Sequence, residues 1–469
     1  MVYTAGFIGA LVGDEGKGVR EAFYVKKAVM LALRQEALLQ LDPKSIDRAK
    51  MIFSRHRGTL PYHLEDPLVW TYRYQGGKNA GHITFINGIE HNIHQLPTGI
   101  LIPRAYNLMA EGVFFEPRSF LKEVRSLRQK GVRISPHNLG IASNAHVTLD
   151  YNLELDKEDS AATDGNHTST GSGIKQTAVD KYGRVGMRME EFLDPKEFVK
   201  SLAVRFPTIE SRMQLDTFRK VDGDLERFSA SYDTERQEID PLVVLQTNVL
   251  TDRLYHYGIA EGAQGFQIDI DRGQYPGITS SSPTVIPTRM DKIVGVVKLY
   301  QSSIGGDRPF IGRMPLHLEE VLRGPWIEKG SSTGKPRKIG WLDIVGLRHA
   351  IESAQIDCLV STCGDKLEDL ARLGENVKLV VGYNVNGKTY DRWDRSFHKR
   401  STLYQAEPVF EEFPPWQVFF DKERGKLTEN AQRYVDRIEE LTGLEFASHG
   451  HGRDIDEVHE IKDILPAVA

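Results

Sequence analysis

Phe7-Ile8-Gly9-Ala10-Leu11-Val12-Gly13-Asp14-Glu15-Gly16-Lys17-Gly18 is the stretch that sets the fold class. Its first half is apolar and the right length for one buried strand. Its second half is a polar turn built on glycine. Residues 20–41 follow, rich in Ala, Leu, Lys and Glu with apolar residues at helical spacing, so the order is strand, turn, long helix. Asp42-Pro43 stops that helix.

The unit recurs. Residues 69–74 are apolar and run into Gln75-Gly76-Gly77-Lys78-Asn79-Ala80-Gly81-His82. Residues 257–260 run into Glu261-Gly262-Ala263-Gln264-Gly265. Residues 292–300, 357–360 and 377–383 read as further strands, and 117–130, 196–231, 341–353 and 431–442 as helices. Residues 83–99 read as a strand pair turning at Asn87-Gly88. Residues 157–173, 330–340 and 448–454 read as loops. Strands that alternate with helices and deliver polar residues at their C-terminal ends predict an α/β fold, with a large mostly parallel central sheet flanked by helices. One body over 1–469 with inserted subdomains is expected, the clearest insertion being polar residues at about 43–68.

Composition narrows the function classes. The 469 residues are 40% hydrophobic and 27% charged, as a packed protein requires. A net charge of -5 argues against a nucleic-acid partner. No apolar run is long enough to span a membrane, and the N-terminus lacks the basic start of a signal peptide. Two cysteines, Cys358 and Cys363, make neither a disulfide framework nor a zinc spacing, so a reducing, cytoplasmic setting is expected.

The glycine turns carry the chemistry. A lysine among glycines at a helix start suits phosphate, through free N–H groups, helix dipole and charge together. The turn is neither a Walker A loop nor a G-x-G-x-x-G fingerprint, because Leu11 and Gly18 break those patterns. In the second turn His82 has the residue type of a general acid near neutral pH. In the third, the Gln264 amide can offer donors to a 6-oxo group and an acceptor to a ring N–H. Ser169-Thr170-Gly171-Ser172-Gly173 could cradle a phosphate monoester. The basic loop Ser331-Ser332-Thr333-Gly334-Lys335-Pro336-Arg337-Lys338 suits an anionic ligand, or solvent.

Taken in order, these motifs resemble the adenylosuccinate synthetase family. The matching pieces are residues 13–18, 73–82 and 96–101, the run from Ser169 to Ile174 with Asp180, Lys181 and Arg184, residues 261–265, and Asp269-Ile270-Asp271 with Thr279. Ser332-Thr333-Gly334, Gly340-Trp341-Leu342-Asp343 and Ser448-His449-Gly450 complete the set. The resemblance implies the fold of that family, related to P-loop folds, and a ligase that joins aspartate to carbon 6 of a purine nucleotide using GTP and Mg2+. It implies Asp14 as base and metal ligand, His82 as acid and Gln264 as the holder of the purine oxygen. Gly13, Glu15, Gly16, Lys17 and Gly18 would meet the triphosphate, with the Gly81 carbonyl on the metal. Asn79, Ser169, Thr170, Thr279 and Arg184 would hold the purine nucleotide, Arg184 reaching across a homodimer interface. Ser332, Thr333, Lys335 and Arg337 would form the amine-donor loop, and Thr362, Asp365, Ser448 and Gly450 would hold the base of the triphosphate.

Departures leave the substrates open. The family tetrad Thr-Lys-Leu-Asp aligns with Thr362-Cys363-Gly364-Asp365, without its lysine, so the triphosphate could be GTP, ATP or dATP. Lys335 stands where an arginine grips the aspartate carboxylates, and a point charge cannot make that two-pronged contact. Ser172 replaces a second arginine. A phage-type branch acting on dGMP is an alternative, although most of that branch carries serine where Asp14 stands. A nucleotide-binding homologue without catalysis is another.

Overall fold

Ten strands line up in one sheet because nine of them can be parallel. The structure is a computed structural model. It describes residues 2–13, 15–41, 67–162, 170–210, 225–245, 255–303, 308–324, 328, 330 and 334–466. The strands are β1 (Tyr3–Gly9), β2 (Val69–Arg73), β3 (Ala105–Met109), β4 (Leu139–Ala142), β5 (Val243–Val244), β6 (Tyr257–Gly265), β7 (Lys292–Lys298), β8 (Cys358–Thr362), β9 (Phe446–Gly450) and β10 (Val458–Glu460). Their order is β5-β4-β3-β2-β6-β1-β7-β8-β9-β10. Every neighbouring pair is parallel except β9 with β10. A parallel sheet is covered on both faces, and β2 and β3 are accordingly buried at every position.

Helix α1 (Lys17–Leu41) lies on one face through Ala22, Val25, Ala28, Val29 and Ala32, which pack with Phe7, Val294 and Val360. The alanines let the helix come close to the sheet. Helix α2 (Pro117–Gln129) starts at Glu116, whose carboxylate accepts from Arg118 N and Ser119 N, with Pro117 in the first turn. Helix α3 (Ile344–Ala354) is capped by Asp343, which accepts from Gly346 N at 3.1 Å and from the Tyr383 hydroxyl at 2.5 Å. Helix α4 (Glu429–Thr442) ends on Gly443 at φ 73°.

The α/β expectation and the main strands hold, as does the hairpin of His82–Ile86 with Ile89–Ile93, where Asn87 and Gly88 both have positive φ. Three expectations are corrected. Residues 157–162 continue the helix Asp150–Ala162. Residues 261–265 close strand β6, where Glu261 pairs with β1 and β2 and Gly265 with Gly9, and 448–450 are strand, with partners in β8 and β10. Lys338–Gly340 is a strand paired with Gln301–Ser303. The strand expected at 377–383 is present as Val377–Val385, in a separate four-stranded sheet. The expected insertion at 43–68 lies, apart from 67 and 68, outside the described residues.

Burial pushes the Asp343 carboxyl up to about 6, against the bonds from Tyr383 and Gly346. The folded state therefore binds a proton more tightly than the unfolded chain, and stability falls as pH rises from about 4 through 6. Asn at this position does not titrate. The stability of the wild type relative to Asp343→Asn should decline across that window in denaturant titrations; a difference constant with pH would remove the explanation.

Candidate active site

The three glycine turns meet at the C-terminal ends of β1, β2 and β6, where open α/β sheets bind ligands. In the first, Glu15 is 1% exposed. Its carboxylate accepts from Leu11 N at 3.1 Å and Gly13 N at 2.6 Å, and pairs with Lys17 Nζ at 2.9 Å. Glu15 thus holds the turn from inside, and its side chain is not offered to a phosphate. Gly13 and Gly16 have φ of 108° and 76°. A Cβ on Gly16 would come within 3.3 Å of Thr362 Cγ2, and the Thr362 hydroxyl donates to the Glu15 carbonyl at 2.7 Å. Asp14 lies outside the described residues.

Gly18 joins the first turn to the second. A Cβ there would stand 2.7 Å from His82 Cβ. His82 sits in a buried polar cluster. Its Nδ1 donates to Glu261 Oε1, which also accepts from Arg73 Nη1. Glu261 Oε2 accepts from Thr98 N at 2.6 Å. Nδ1 is thereby engaged, and Nε2 is the ring nitrogen left to meet a ligand. Burial pushes His82 down to about 4, the Arg73 cation adds to this and Glu261 opposes it. Burial alone would raise Glu261, but Arg73 and His82 hold it well below the usual carboxylate range. Glu21, 4.0 Å from His82 Nδ1, is pushed well up by burial and by the charge on Glu261. The cluster therefore holds a carboxylate, a guanidinium and a neutral ring, with Glu21 shifted toward its protonated form beside them.

The third turn reaches both others. Gln264 takes φ 57°, and its Oε1 and Nε2 are buried with no hydrogen-bond partner. A Cβ on Gly13 would lie 3.4 Å from Gln264 Cα, and one on Gly76 would lie 3.4 Å from its Oε1. Gln75 Nε2 donates to the Ala263 carbonyl at 2.5 Å, and Asn79 Nδ2 to the Thr279 hydroxyl at 3.5 Å. The structure thus brings His82, Gln264, Asn79, Thr279, Lys17 and the loop glycines together, with Gly81 next to His82.

Other expected residues lie further out. Thr170 is exposed and donates to Ser172 Oγ at 2.8 Å, and Ser169 is outside the described residues. Arg184 is exposed at φ 60°, just past the helix Ile174–Tyr182. Ser332 and Thr333 are also outside the described residues, and Lys335 is exposed. Arg337 is turned inward and donates to Glu328 Oε2 at 2.8 Å. Glu328 also accepts from Lys298 at 2.6 Å and Lys366 at 2.8 Å. Burial would raise that carboxyl, and the three cations hold it well below its usual range. At the base end, Ser448 accepts from the Tyr24 hydroxyl at 3.0 Å, Gly450 abuts Arg20, and Asp365 follows Thr362 on the turn after β8.

Residues 63–459 match the family model described as adenylosuccinate synthetase. The adenylosuccinate synthetase of Caldanaerobacter subterraneus subsp. tengcongensis is 33% identical over 416 residues, covering 86% of this chain and 95% of that protein. That of Bacillus cereus is 32% identical over 410 residues, covering 84% and 93%. The chain belongs to the adenylosuccinate synthetase family. It is an enzyme, a carbon–nitrogen ligase.

Among solved structures, the fully ligated adenylosuccinate synthetase from Plasmodium falciparum superposes with a TM-score of 0.78 at 22% identity, covering 98% of this chain and 99% of that one. The cyanophage S-2L succinoaminodeoxyadenylate synthetase, bound to dGMP and dATP as energy donor, gives 0.53 at 15% identity, covering 98% and 95%. At these identities the likeness is one of fold.

The family's reaction uses magnesium. Among the described residues, Glu21, His82 and Glu261 group as metal ligands would. They do not fit a divalent ion, because both Glu261 oxygens are engaged by Arg73, His82 and Thr98. The first turn fits better. Lys17 is neutralised by Glu15, so an arriving triphosphate needs another cation. The Asp14 carboxylate and the Gly81 carbonyl are oxygen ligands of the kind magnesium takes.

Reasoning from sequence missed Arg20 and Glu21, both 1% exposed. The available signal was a charged pair inside the apolar first turns of α1. Glu261→Gln keeps the shape but removes the charge that holds Arg73 and His82. Leaving a buried guanidinium without its partner should cost about 3 kcal/mol or more of stability. Thermal unfolding checks this, and an unchanged transition would show that the pair does not organise the site.

Proposed function

We propose that this ligase uses a nucleoside triphosphate to phosphorylate the 6-oxygen of a 6-oxopurine nucleotide such as IMP, then condenses the product with aspartate. Asp14 takes the proton from N1, and the 6-oxygen attacks the γ-phosphorus as the nucleoside diphosphate leaves. The aspartate amine then adds at carbon 6, and the 6-phosphate departs as inorganic phosphate. Phosphoryl transfer needs positioning and charge neutralisation more than covalent chemistry.

One observation carries this reading: a buried glutamine amide without a partner, set against a glycine–lysine turn whose Gly18 abuts an oriented histidine. Gln264 offers Nε2 to the purine 6-oxygen. As the anionic phosphoryl group arrives, His82 takes a second proton on Nε2 and donates it in a hydrogen bond to that group, its ring fixed by Glu261 and Arg73. Lys17 and the N–H groups of the turn take the triphosphate oxygens, and Asn79, Ser169, Thr170 and Thr279 the 5′-phosphate side. Magnesium on Asp14 and the Gly81 carbonyl would neutralise charge on the triphosphate.

Aspartate as amine donor is supported by charge. Lys298, Lys366 and Arg337 surround the single carboxylate of Glu328 beside the donor loop, which leaves positive charge for a dicarboxylate. A homodimer with Arg184 reaching the partner's nucleotide is supported by exposed Val179 and Tyr182, 43% and 70% accessible, on the helix before it. No helix among the described residues is long and apolar enough to cross a membrane. A cytoplasmic setting follows from the substrates proposed.

The test is phosphate release and product mass with IMP, GMP or dGMP against GTP, ATP or dATP, each with aspartate. IMP with aspartate should give a succinyl adduct and one phosphate per turnover. His82→Ala should lower turnover by about 10²-fold or more while IMP still binds. Tight nucleotide binding without turnover in any combination would favour a non-catalytic homologue instead.

A further inference from the structure

Arg20 sits in the first turns of α1 and is 1% exposed. Its Nε and Nη1 are buried and have no hydrogen-bond partner. A Cβ on Gly450 would stand 3.0 Å from Arg20 Cζ, so the guanidinium lies against the end of β9. Asp365 is close enough for each charge to act on the other, yet the two form no ion pair among the described residues. Burial pushes Arg20 down to about 10. A buried guanidinium whose donors go unused is a group awaiting an acceptor-rich ligand.

The surroundings say which ligand. Thr362, at the end of β8, touches Gly16 of the phosphate turn, so this end of the sheet is continuous with it. The side chains of the turn after Thr362 leave Arg20 without a rival. Cys363 is at φ 59°, Gly364 is covered by the Phe419 ring, and Lys366 is turned to Glu328. A phosphate against Arg20 would meet the Asp365 carboxylate as well, which disfavours it. A purine base does not carry that charge. Guanine has adjacent acceptors in O6 and N7 and adjacent donors in N1–H and the N2 amine. Adenine places its N6 amine donor between N7 and N1, so a donor fork meets a donor.

We infer that Arg20 is a further specificity-determining residue for the triphosphate, its guanidinium on O6 and N7 of a guanine whose N1 and N2 amine face the Asp365 carboxylate that the family resemblance already assigns to the base. This rests on reading the site as a triphosphate-consuming ligase.

Steady-state kinetics of the full chain with saturating IMP and aspartate test it. The wild type should prefer GTP to ATP in kcat/KM. Arg20→Met should raise the KM for GTP by about 5- to 100-fold, as expected of a lost two-pronged base contact, with little change in kcat and none for ATP. The 7-deaza analogue of GTP should be weaker than GTP with the wild type and equal to it with Arg20→Met. Equal loss with GTP and ATP would mean a phosphate contact, and no loss a structural role; either overturns the inference, as does equal use of GTP and ATP by the wild type. Should Arg20→Met not fold, Arg20→Lys keeps the charge without the fork and should show the same selective KM rise. Calorimetric titration with GTP and ATP reads the same preference without turnover, so a failure of the ligase reading remains distinguishable.

Discussion

The buried pair of Arg73 and Glu261 is the contact on which the site's geometry depends. The two residues face one another across β2 and β6, in register. Arg73 is the last residue of β2, where the chain leaves the sheet for a glycine turn, and Glu261 stands midway along β6, four residues before its end at Gly265. The carboxylate also takes His82 Nδ1 and the backbone and hydroxyl of Thr98. One anion thus ties together two parallel strands, the hairpin that starts at His82 and the turn at 98. Buried ion pairs seldom add much net stability. Here the pair contributes position, because without it the ring that faces the ligand has no fixed orientation.

Charge is handled by the same device elsewhere in the site. Glu15 neutralises Lys17 and pins two backbone N–H groups of the phosphate turn. Glu328 gathers Lys298, Lys366 and Arg337 beneath the donor loop. In both places an internal carboxylate lets cations be buried where anionic substrates will arrive. The ratio differs, one to one at the first and three to one at the second. The phosphate turn is left near neutral, as suits a ligand that brings a divalent cation with it. The second keeps surplus positive charge around Glu328, as suits an incoming anion.

Much of this was legible in the sequence, for physical reasons that apply unevenly. Strand, glycine turn and helix were readable at Phe7–Gly18 because apolar runs and glycine mark burial and tight turns directly. The chemistry of His82 and Gln264 was readable from residue type and neighbours. Residues 261–265 looked like loop because their composition is polar and glycine-rich, but the pairing of Glu261 with β1 and β2 and of Gly265 with Gly9 extends the strand through them, which no local pattern reveals. Arg337 read as part of a basic loop open to an anionic ligand or solvent, and its inward turn was hidden because its partner, Glu328, lies nine residues away. Arg20 and Glu21 drew no reading of their own, since charged residues in a helix by themselves carry no local sign of burial. Both are buried, since the first turns of α1 are enclosed by β9 and by the His82 hairpin at once.

That enclosure makes α1 the element that couples the two halves of the reaction. Residues four apart share a helix face. Lys17 and Glu21 lie on the side of the phosphate turn and His82, while Arg20 and Tyr24 lie on the side of β9. Gly18 is where the helix presses closest, with no room for a Cβ beside His82, Thr84 and Thr98. A small rotation of α1 about that contact would therefore move the phosphate lysine and the base-end arginine together. Fixing the helix by a glycine, rather than by a larger side chain that could repack, ties the spacing between His82 and the Arg20 side of α1 to the backbone itself.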